Sequence, residues 1–403
     1  MRLSDALFIH HPASSRYKLA AGHPFDPIRL TLTTDLLHKA GALREDQRIA
    51  PSLSCDTEAL LRLVHRDDFI DAVKRLSEAS PDRSAVADAG KYGLGTEDTP
   101  YFEGMHEAAS AIVSGSVAAA EAVMEGRALH ACHIGGGLHH GFPDRASGFC
   151  VYNDTAVAIQ YLKQRYGARV LYIDTDVHHG DGVQWVFYAD PGICTYSIHE
   201  TGKYLFPGTG FVYEKGVDSG YGACFNLPLE PYTEDDSWLD SFRSTVGKVA
   251  AAFKPDIIVS QHGCDAHAFD PLSHLHCSMR IYQEIPVIIH QLAHQYAEGR
   301  WVALGGGGYD IWRVVPRAWS LVWLAMTGHD ISRKLEQEAA SVAGGASPSL
   351  KLPASWIEQW KDSSPAELPS LWLDDLRGVP PIPRRDEIER KNRETSKIAV
   401  QDL

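Results

Sequence analysis

Short apolar runs alternate with amphipathic segments along most of this chain. Several runs are apolar at consecutive positions, which is typical of strands in a parallel sheet covered by helices on both faces. Apolar residues between the runs recur at helical spacing, as they do over 113–124 and 238–253. The alternation predicts an α/β fold with a doubly wound parallel sheet. Its candidate strands are residues 6–10, 129–134, 170–174, 193–198, 257–261 and 301–304.

Some helix ends are also predictable. Thr233 has the side chain of an N-cap and precedes the apolar pattern that includes Trp238. Gly299 is placed to end the helix that begins near Met279. Pro286 lies inside that helix, where a missing N–H is expected to kink it or divide it in two.

The character of the chain changes near residue 331, which suggests a domain over 1–330 and an appendage over 331–403. Residues 334–348 are rich in Ala, Ser and Gly, and the last 50 or so residues carry proline clusters and mixed charges. A flexible tail is one reading of this segment. The apolar residues favour packing on the domain instead, and they are Trp356, Trp360, Leu371 and Trp372.

Composition narrows the class of protein. The 403 residues are 44% hydrophobic and 22% charged, with a formal net charge of −14, which argues against a basic nucleic-acid face. The seven cysteines form no CxxC pair and fit a reducing compartment. No stretch approaches the ~20 apolar residues of a membrane span, and the short N-terminal apolar run is unlike a signal peptide. These features predict a soluble cytoplasmic protein without nucleic-acid or membrane partners.

Polar residues follow several of the candidate strands, where open parallel sheets bind their ligands. Asp176 and His178 come directly after strand 170–174, two positions apart, so both side chains point the same way. A catalytic zinc needs three protein ligands and one open position. Asp265 is the best third ligand because it follows a separate strand, and His267 competes with it.

Proton transfer has its own candidates beside this metal motif. His139 and His140 follow strand 129–134, and Asp174 and Asp181 remain free to accept a ring N–H from each. A carboxylate placed in this way orients an imidazole and raises its basicity. Tyr309 follows four glycines and could donate to a developing oxyanion.

Together these residues resemble the zinc-dependent histone deacetylase superfamily, which shares its fold with arginase. The similarity covers about residues 5–325, and residues 95–110 and 135–154 look most like the bacterial acetoin-utilisation deacetylases. It implies a single three-layer α/β/α domain whose mostly parallel sheet has about eight strands. The matching segments are His23 to Arg29, Tyr92 to Gly95, His139-His140, Gly148 to Asp154, Ile173 to Asp181, Phe206 to Gly210, Asp265 and Gly305 to Tyr309.

The resemblance implies roles for individual residues. Zinc would bind Asp176, His178 and Asp265, although the donors also suit iron(II). His139 and His140 would be the acid–base pair, with Asp174 and Asp181 behind them, and Tyr309 would polarise the scissile carbonyl. Two further implied sites are a structural potassium ion and an acetate-exit channel near Arg29. The substrate tunnel would be lined by Phe149, Phe206, Gly148 and Leu272, with Asp98 at its rim; the potassium ion would be held by Asp174, Asp176, His178, Ser197 and Ile198.

The expected activity is hydrolysis of N-ε-acetyl-lysine in a protein or peptide, with acetyl-CoA synthetase as one candidate substrate. An acetylpolyamine or other small acetylamine deacetylase would use the same groups. An arginase-like ureohydrolase would need two metal ions, for which Asp181 is a possible extra ligand. A binding module without activity is the remaining alternative, and the chain's composition predicts no oligomeric state.

Overall fold

The structure, a computed structural model, describes residues 4–51, 56–377 and 382–403. Cys55, Pro380 and Pro381 therefore lie outside the described residues, and the six described cysteines are all free and buried. Eight strands are present among the described residues: Ser4–Ile9 (β1), Arg48–Ile49 (β2), Ala128–His133 (β3), Val170–Asp174 (β4), Ile193–Glu200 (β5), Cys224–Leu229 (β6), Ile257–Gln261 (β7) and Trp301–Leu304 (β8).

The strands form one sheet in the order β2-β1-β3-β8-β7-β4-β5-β6, and every described pair is parallel. Thirteen α-helices accompany the sheet over the described ranges. They are Ile28–Lys39 (α1), Thr57–Leu61 (α2), Asp67–Leu76 (α3), Arg83–Asp88 (α4), Met105–Met124 (α5), Asp154–Tyr166 (α6), Asp181–Phe187 (α7), Asp235–Phe253 (α8), Met279–Tyr296 (α9), Val315–Met326 (α10), Asp330–Ala343 (α11), Ala354–Trp360 (α12) and Arg385–Ala399 (α13).

Helices cover both faces of the sheet because its strands are apolar on both. In β4, Leu171 and Ile173 belong to one hydrophobic core, with side chains of α1, α8, α9 and α10. Val170 and Tyr172, at the alternate positions, belong to a second core with side chains of α5 and α6. Successive side chains of a strand point to opposite faces, so one short apolar run serves both layers. The three-layer α/β/α prediction is confirmed.

Most of the strand predictions agree with the structure to within one or two residues. The strands β2 and β6 were not predicted: β2 has only two residues, and β6 contains Asn226 and Pro228 at the edge of the sheet. The N-cap prediction was wrong. Glu234 is the cap of α8, and the hydroxyl of Thr233 donates instead to the carbonyl of Glu230 at 2.6 Å. The helix α9 runs undivided through Pro286.

Helix α5 corrects one expectation from composition. Within its 20 residues, an 18-residue stretch has a mean hydropathy of 1.2, which makes the helix long and apolar enough to cross a membrane by length and composition alone. However, 83% of that stretch is buried inside the protein. The helix lies in the second hydrophobic core, as expected for a core helix of an α/β fold.

The segment after residue 330 contacts the rest of the chain through several buried side chains. Trp356 and Trp372 are both buried, and the indole N–H of Trp356 donates to the carbonyl of Leu32. Asp374 lies beside the loop that follows β7. Its carboxylate accepts from Arg317 Nη1 at 2.9 Å and lies 2.9 Å from His267 Nε2.

Candidate active site

The polar loops predicted from the sequence lie together at the carboxyl-terminal ends of the strands. Strands β3, β8, β7 and β4 are consecutive neighbours and run parallel, so their carboxyl ends meet there. The loop after β3 carries the histidine pair, the loop after β4 carries the Asp-x-His motif, and the loop after β7 carries Asp265. The glycine loop and Tyr309 follow β8. Parallel topology thus brings together residues that are 170 positions apart.

Three side chains form a candidate metal centre. Donor atoms of Asp176, His178 and Asp265 lie within 4.8 Å of one another, and all three residues are buried. His178 Nδ1 lies 3.1 Å from Asp176 Oδ1 and 3.1 Å from Asp265 Oδ2. Tetrahedral zinc with bonds of ~2.0–2.1 Å would set its ligand atoms ~3.3 Å apart. The three donors fit such an ion and leave one position open.

The charges of this centre also favour the binding of a cation. Burial and the neighbouring Asp176 raise the pKa of Asp265 to about 6, because two buried carboxylates repel each other. Burial opposes a charged His178, yet hydrogen bonds to both carboxylates raise its pKa to about 10. A divalent ion in place of that proton would balance the two carboxylates more fully.

The oxygens that face away from the centre are held by other groups. Asp176 Oδ2 accepts from Gln261 Nε2 at 2.7 Å and from the Gly307 N–H at 2.8 Å. Asp265 Oδ1 accepts from the Val177 N–H at 2.9 Å. Such bonds orient metal ligands and tune their affinity. Gln261 was not predicted as a site residue, and its only signal in the sequence is its position as the last residue of a buried strand.

Gly307 leaves no room for a side chain at this centre. A Cβ there would lie 2.1 Å from Asp265 Oδ2 and 2.7 Å from Asp176 Oδ2. We expect Gly307→Ala to displace both carboxylates and to weaken metal affinity by ~10–100-fold, the scale for disturbed ligand orientation. Titration with a competing chelator measures the change. Gly90→Ala is the matched control, because a Cβ at Gly90 meets open space; equal affinities in the two variants would contradict the expectation.

The two histidines of the β3 loop each contact a carboxylate. His139 Nδ1 lies 2.7 Å from Asp174 Oδ2, and His140 Nδ1 lies 2.7 Å from Asp181 Oδ1. The two rings lie 4.0 Å apart between centroids, and all four residues are buried. Asp181 thus contacts His140 through Oδ1, as expected for a carboxylate that orients the imidazole.

The two imidazoles differ electrostatically. Burial disfavours a charge on His139, but the attraction of Asp174 and Asp176 outweighs it and raises the pKa of His139 to about 9. Burial and the adjacent His139 lower the pKa of His140 in spite of Asp181. Only His140 borders the cavity described below. The pKa values of the two rings are thus shifted in opposite directions, and the ring with the lowered pKa is the one at the cavity.

Two residues at the start of α6 hold the histidine loop in place. Asn153 Nδ2 donates to the carbonyls of His139 and Gly141, at 3.2 and 2.9 Å. The buried carboxylate of Asp154 accepts from the backbone N–H groups of Gly137 and Leu138. The sequence motif contains both residues, but their positioning roles follow from contacts across the fold and were not predicted.

A cavity of about 220 Å³ leads to this centre. Phe149 and Phe206 form part of its wall, and the ring of Phe206 packs edge-on against His140 at 5.0 Å. A Cβ at Gly148 would lie 2.6 Å from the His140 ring and 2.9 Å from Phe206, so only glycine allows this narrow approach. The complete lining is Asp98, His140, Gly148, Phe149, His178, Leu205, Phe206, Leu272 and Tyr309.

The remaining predicted residues lie around this cavity or behind it. Asp98 is exposed, and its carbonyl lies 3.3 Å from His23 Nε2. Tyr309 is half-buried, and its backbone N–H donates to Asp270, a residue that was not predicted. Arg29 is buried and donates to the carbonyls of the glycine loop, Gly306 and Gly308.

The residues of the predicted potassium site are also close together. Asp174 pairs with Ser197 across β4 and β5, and Ile198 follows directly. Asp174 Oδ1 accepts from the Asp176 N–H, and the Ser197 hydroxyl lies 2.8 Å from His199 Nδ1. The assignment of potassium to these residues stays a prediction.

His267 does not reach the metal centre. Its Nε2 contacts Asp374, and its Nδ1 accepts from the Phe269 N–H at 3.1 Å. Both ring nitrogens are therefore engaged elsewhere, which leaves Asp265 as the third donor of the cluster.

Comparisons with known proteins agree with this geometry. The profile of the histone deacetylase domain matches residues 23–326. Acetoin utilization protein AcuC of Bacillus subtilis is 52% identical over 398 residues, which cover 99% of this chain and 97% of the relative. The Staphylococcus aureus (strain MRSA252) protein of that name is 46% identical over 391 residues, covering 97% and 95%.

Solved structures show the same architecture. An HDAC homolog from Aquifex aeolicus superposes with a TM-score of 0.79 at 25% identity, covering 96% of this chain and all of that one. An HDAC homolog complexed with SAHA gives 0.80 at 27% identity, with the same coverage. The fold, the profile match and the full-length relatives together establish that this chain belongs to the histone deacetylase family.

Proposed function

We propose that this protein hydrolyses the amide bond of N-ε-acetyl-lysine in a protein or peptide, with zinc bound by Asp176, His178 and Asp265. One observation supports the proposal above all others: a narrow cavity with aromatic walls reaches both His178 of the candidate metal centre and His140 of the histidine pair. Apolar walls suit the methylene chain of a lysine side chain, and the buried polar end suits its amide. The zinc dependence that is general in the family supports this choice of ion.

Each side chain of the site has its own role in hydrolysis. Zinc held by Asp176, His178 and Asp265 would supply a Lewis acid for the hydrolysis. His140 takes a proton from a water molecule and returns it to the leaving amine, because it is the histidine that borders the cavity. Asp181 keeps the ring of His140 in orientation through its 2.7 Å contact. His139, paired with Asp174, places positive charge behind the reacting groups.

Tyr309 completes the site, because its hydroxyl donates a hydrogen bond to the developing oxyanion. Burial and the nearby carboxylates raise its pKa well above the usual value, so the proton stays on the hydroxyl. We expect Tyr309→Phe to reduce kcat by ~10²–10³-fold, the scale of one oxyanion donor. Steady-state kinetics on an acetyl-lysine peptide measures the change. Tyr221→Phe, which alters an exposed tyrosine, is the control, and an undiminished kcat for Tyr309→Phe would remove this role.

The rim favours a peptide over a small amine. Asp98 is exposed at the mouth of the cavity, where its carboxylate can accept from backbone N–H groups of an extended substrate.

The names of the relatives link them to acetoin utilisation. We therefore place this enzyme in acetate or acetoin metabolism, in the cytoplasm, with acetyl-CoA synthetase as a candidate substrate. Asp174, Ser197 and main-chain oxygens of Asp176, His178 and Ile198 would hold the structural potassium ion.

A panel of acylated substrates tests the proposal. It contains acetyl-lysine peptides, acetylated acetyl-CoA synthetase, and acetylated spermidine and putrescine, each assayed with defined zinc or iron(II). Asp265→Ala serves as the blank. We expect the highest kcat/KM on a peptide or protein substrate with zinc. Faster turnover of the acetylated polyamines would replace the substrate assignment with a small-amine deacetylase, and no hydrolysis of any member would leave a binding module.

A further inference from the structure

Three histidines meet near the amino-terminal ends of the strands. This edge of the sheet lies opposite the carboxyl-terminal edge that carries the candidate active site. His130 lies near the start of β3, and its register partner Trp301 is the first residue of β8. His290 and His294 lie four residues apart in α9, so their side chains share one face of the helix. We call His130, His290 and His294 the edge cluster.

The ring nitrogens of the edge cluster converge on one point. His290 Nε2 lies 3.1 Å from His130 Nε2 and 3.0 Å from His294 Nε2. Ligand atoms of all three residues lie within 4.8 Å of one another. His130 is buried, His290 is half-buried and His294 is exposed, so the point of convergence is open to solvent on one side.

Hydrogen bonding alone does not account for this arrangement. Nε2 of a neutral imidazole has either one N–H or one lone pair, directed along a single line in the ring plane. His290 Nε2 cannot direct that one group at two partners at once. Among the described residues, no carboxylate forms an ion pair with any member of the cluster.

The geometry and chemistry fit a transition-metal ion instead. Three imidazole nitrogens around zinc, with Zn–N bonds of ~2.0–2.1 Å, would lie ~3.3 Å apart. Histidines at i and i+4 of a helix are a recurrent pair of metal ligands. Neutral imidazole is the commonest metal ligand among protein side chains.

We propose that the edge cluster is a second metal site, which binds zinc or a similar divalent transition-metal ion through three imidazoles and keeps a fourth position for water. The ion would join α9 to β3, because His130 belongs to the strand and the other two ligands belong to the helix. The His290 ring also stacks on Trp301 at 5.8 Å, which gives the site a rigid wall. Its expected role is to stabilise the contact between this helix and the sheet.

Metal content of site-specific variants tests the proposal. The 403-residue protein, freed of any affinity tag and of metal, is equilibrated with micromolar zinc and analysed by elemental mass spectrometry. We expect two zinc ions per chain for the unmodified protein and one for His290→Ala or His294→Ala. Asp176→Ala should also bind one, and Asp176→Ala combined with His294→Ala should bind none. The loss of either ion is thus assigned to its own site, so failure here is distinct from failure of the proposed function.

Thermal unfolding gives a second measurement. In the Asp176→Ala variant, zinc should raise the Tm, and the additional His294→Ala substitution should abolish that shift. His276→Ala alters an exposed histidine outside both clusters and is the matched control. Since His294 is exposed, its variant should match the parent's Tm without metal. Unchanged zinc content and an unchanged zinc-dependent Tm in the His294→Ala variants would overturn the proposal.

Discussion

Asp265→Ala is expected to eliminate hydrolysis of acetyl-lysine peptides together with metal binding at the active site. The substitution leaves two donors for the ion where a catalytic zinc needs three. It also removes the acceptor for the Val177 N–H, which helps to fix the loop that carries His178. Disturbing the outer contacts of a ligand weakens metal affinity by ~10–100-fold, so losing the ligand itself should cost more. Turnover and zinc content, measured on the same preparation, check this result.

His267→Ala is the informative comparison, because His267 is the rival ligand in the sequence and lies two residues away. Its ring contacts Asp374 and the Phe269 backbone, so this variant should keep its active-site zinc. Normal zinc content in Asp265→Ala, or its loss from the active site of a folded His267→Ala protein, would refute the ligand assignment.

His140→Ala is expected to lower kcat/KM by ~10²–10⁴-fold, the usual contribution of general acid–base catalysis. His140 borders the cavity and is held by Asp181, whereas His139 lies behind it against Asp174. His140 is not a donor of the candidate metal centre. The variant should therefore retain its zinc while losing turnover, which separates this effect from that of Asp265→Ala.

Asp181→Asn is a milder test of the general acid–base role of His140. The amide keeps the shape of the side chain but removes the charge beside His140 Nδ1. Its kcat/KM should fall between those of the unmodified protein and His140→Ala. If His140→Ala retained full kcat/KM, the base would have to be another residue, and His139 would be the next to test.

Much of the fold was predictable because strands such as β4 and β7 are buried on both faces and therefore begin with a run of three or four apolar residues. The strands that were missed lack that signal. In β6, Asn226 is buried among partners that lie elsewhere in the chain, including Gln184 at 2.7 Å. A local pattern cannot show that a polar residue will find such a partner.

The candidate site was predictable where chemistry and spacing coincide, as in Asp176 and His178. Gln261, Asp154 and Asp270 were missed for a common reason. Each acts through a hydrogen bond to a distant segment, such as Gln261 to Asp176 or Asp270 to the Tyr309 N–H. Those pairs exist only after the parallel strands have brought their ends together. The edge cluster was missed too, because His130 and His290 are 160 residues apart.

Asp374 connects the end of the chain to the loop that carries Asp265. An Asp374→Ala substitution would keep every proposed catalytic side chain but leave Arg317 buried without its carboxylate. Removing one member of a buried ion pair costs about 3–5 kcal/mol, a large part of the ~5–15 kcal/mol that holds a typical protein folded. We therefore expect residues beyond 330 to add stability to the part of the chain that carries the proposed catalytic side chains.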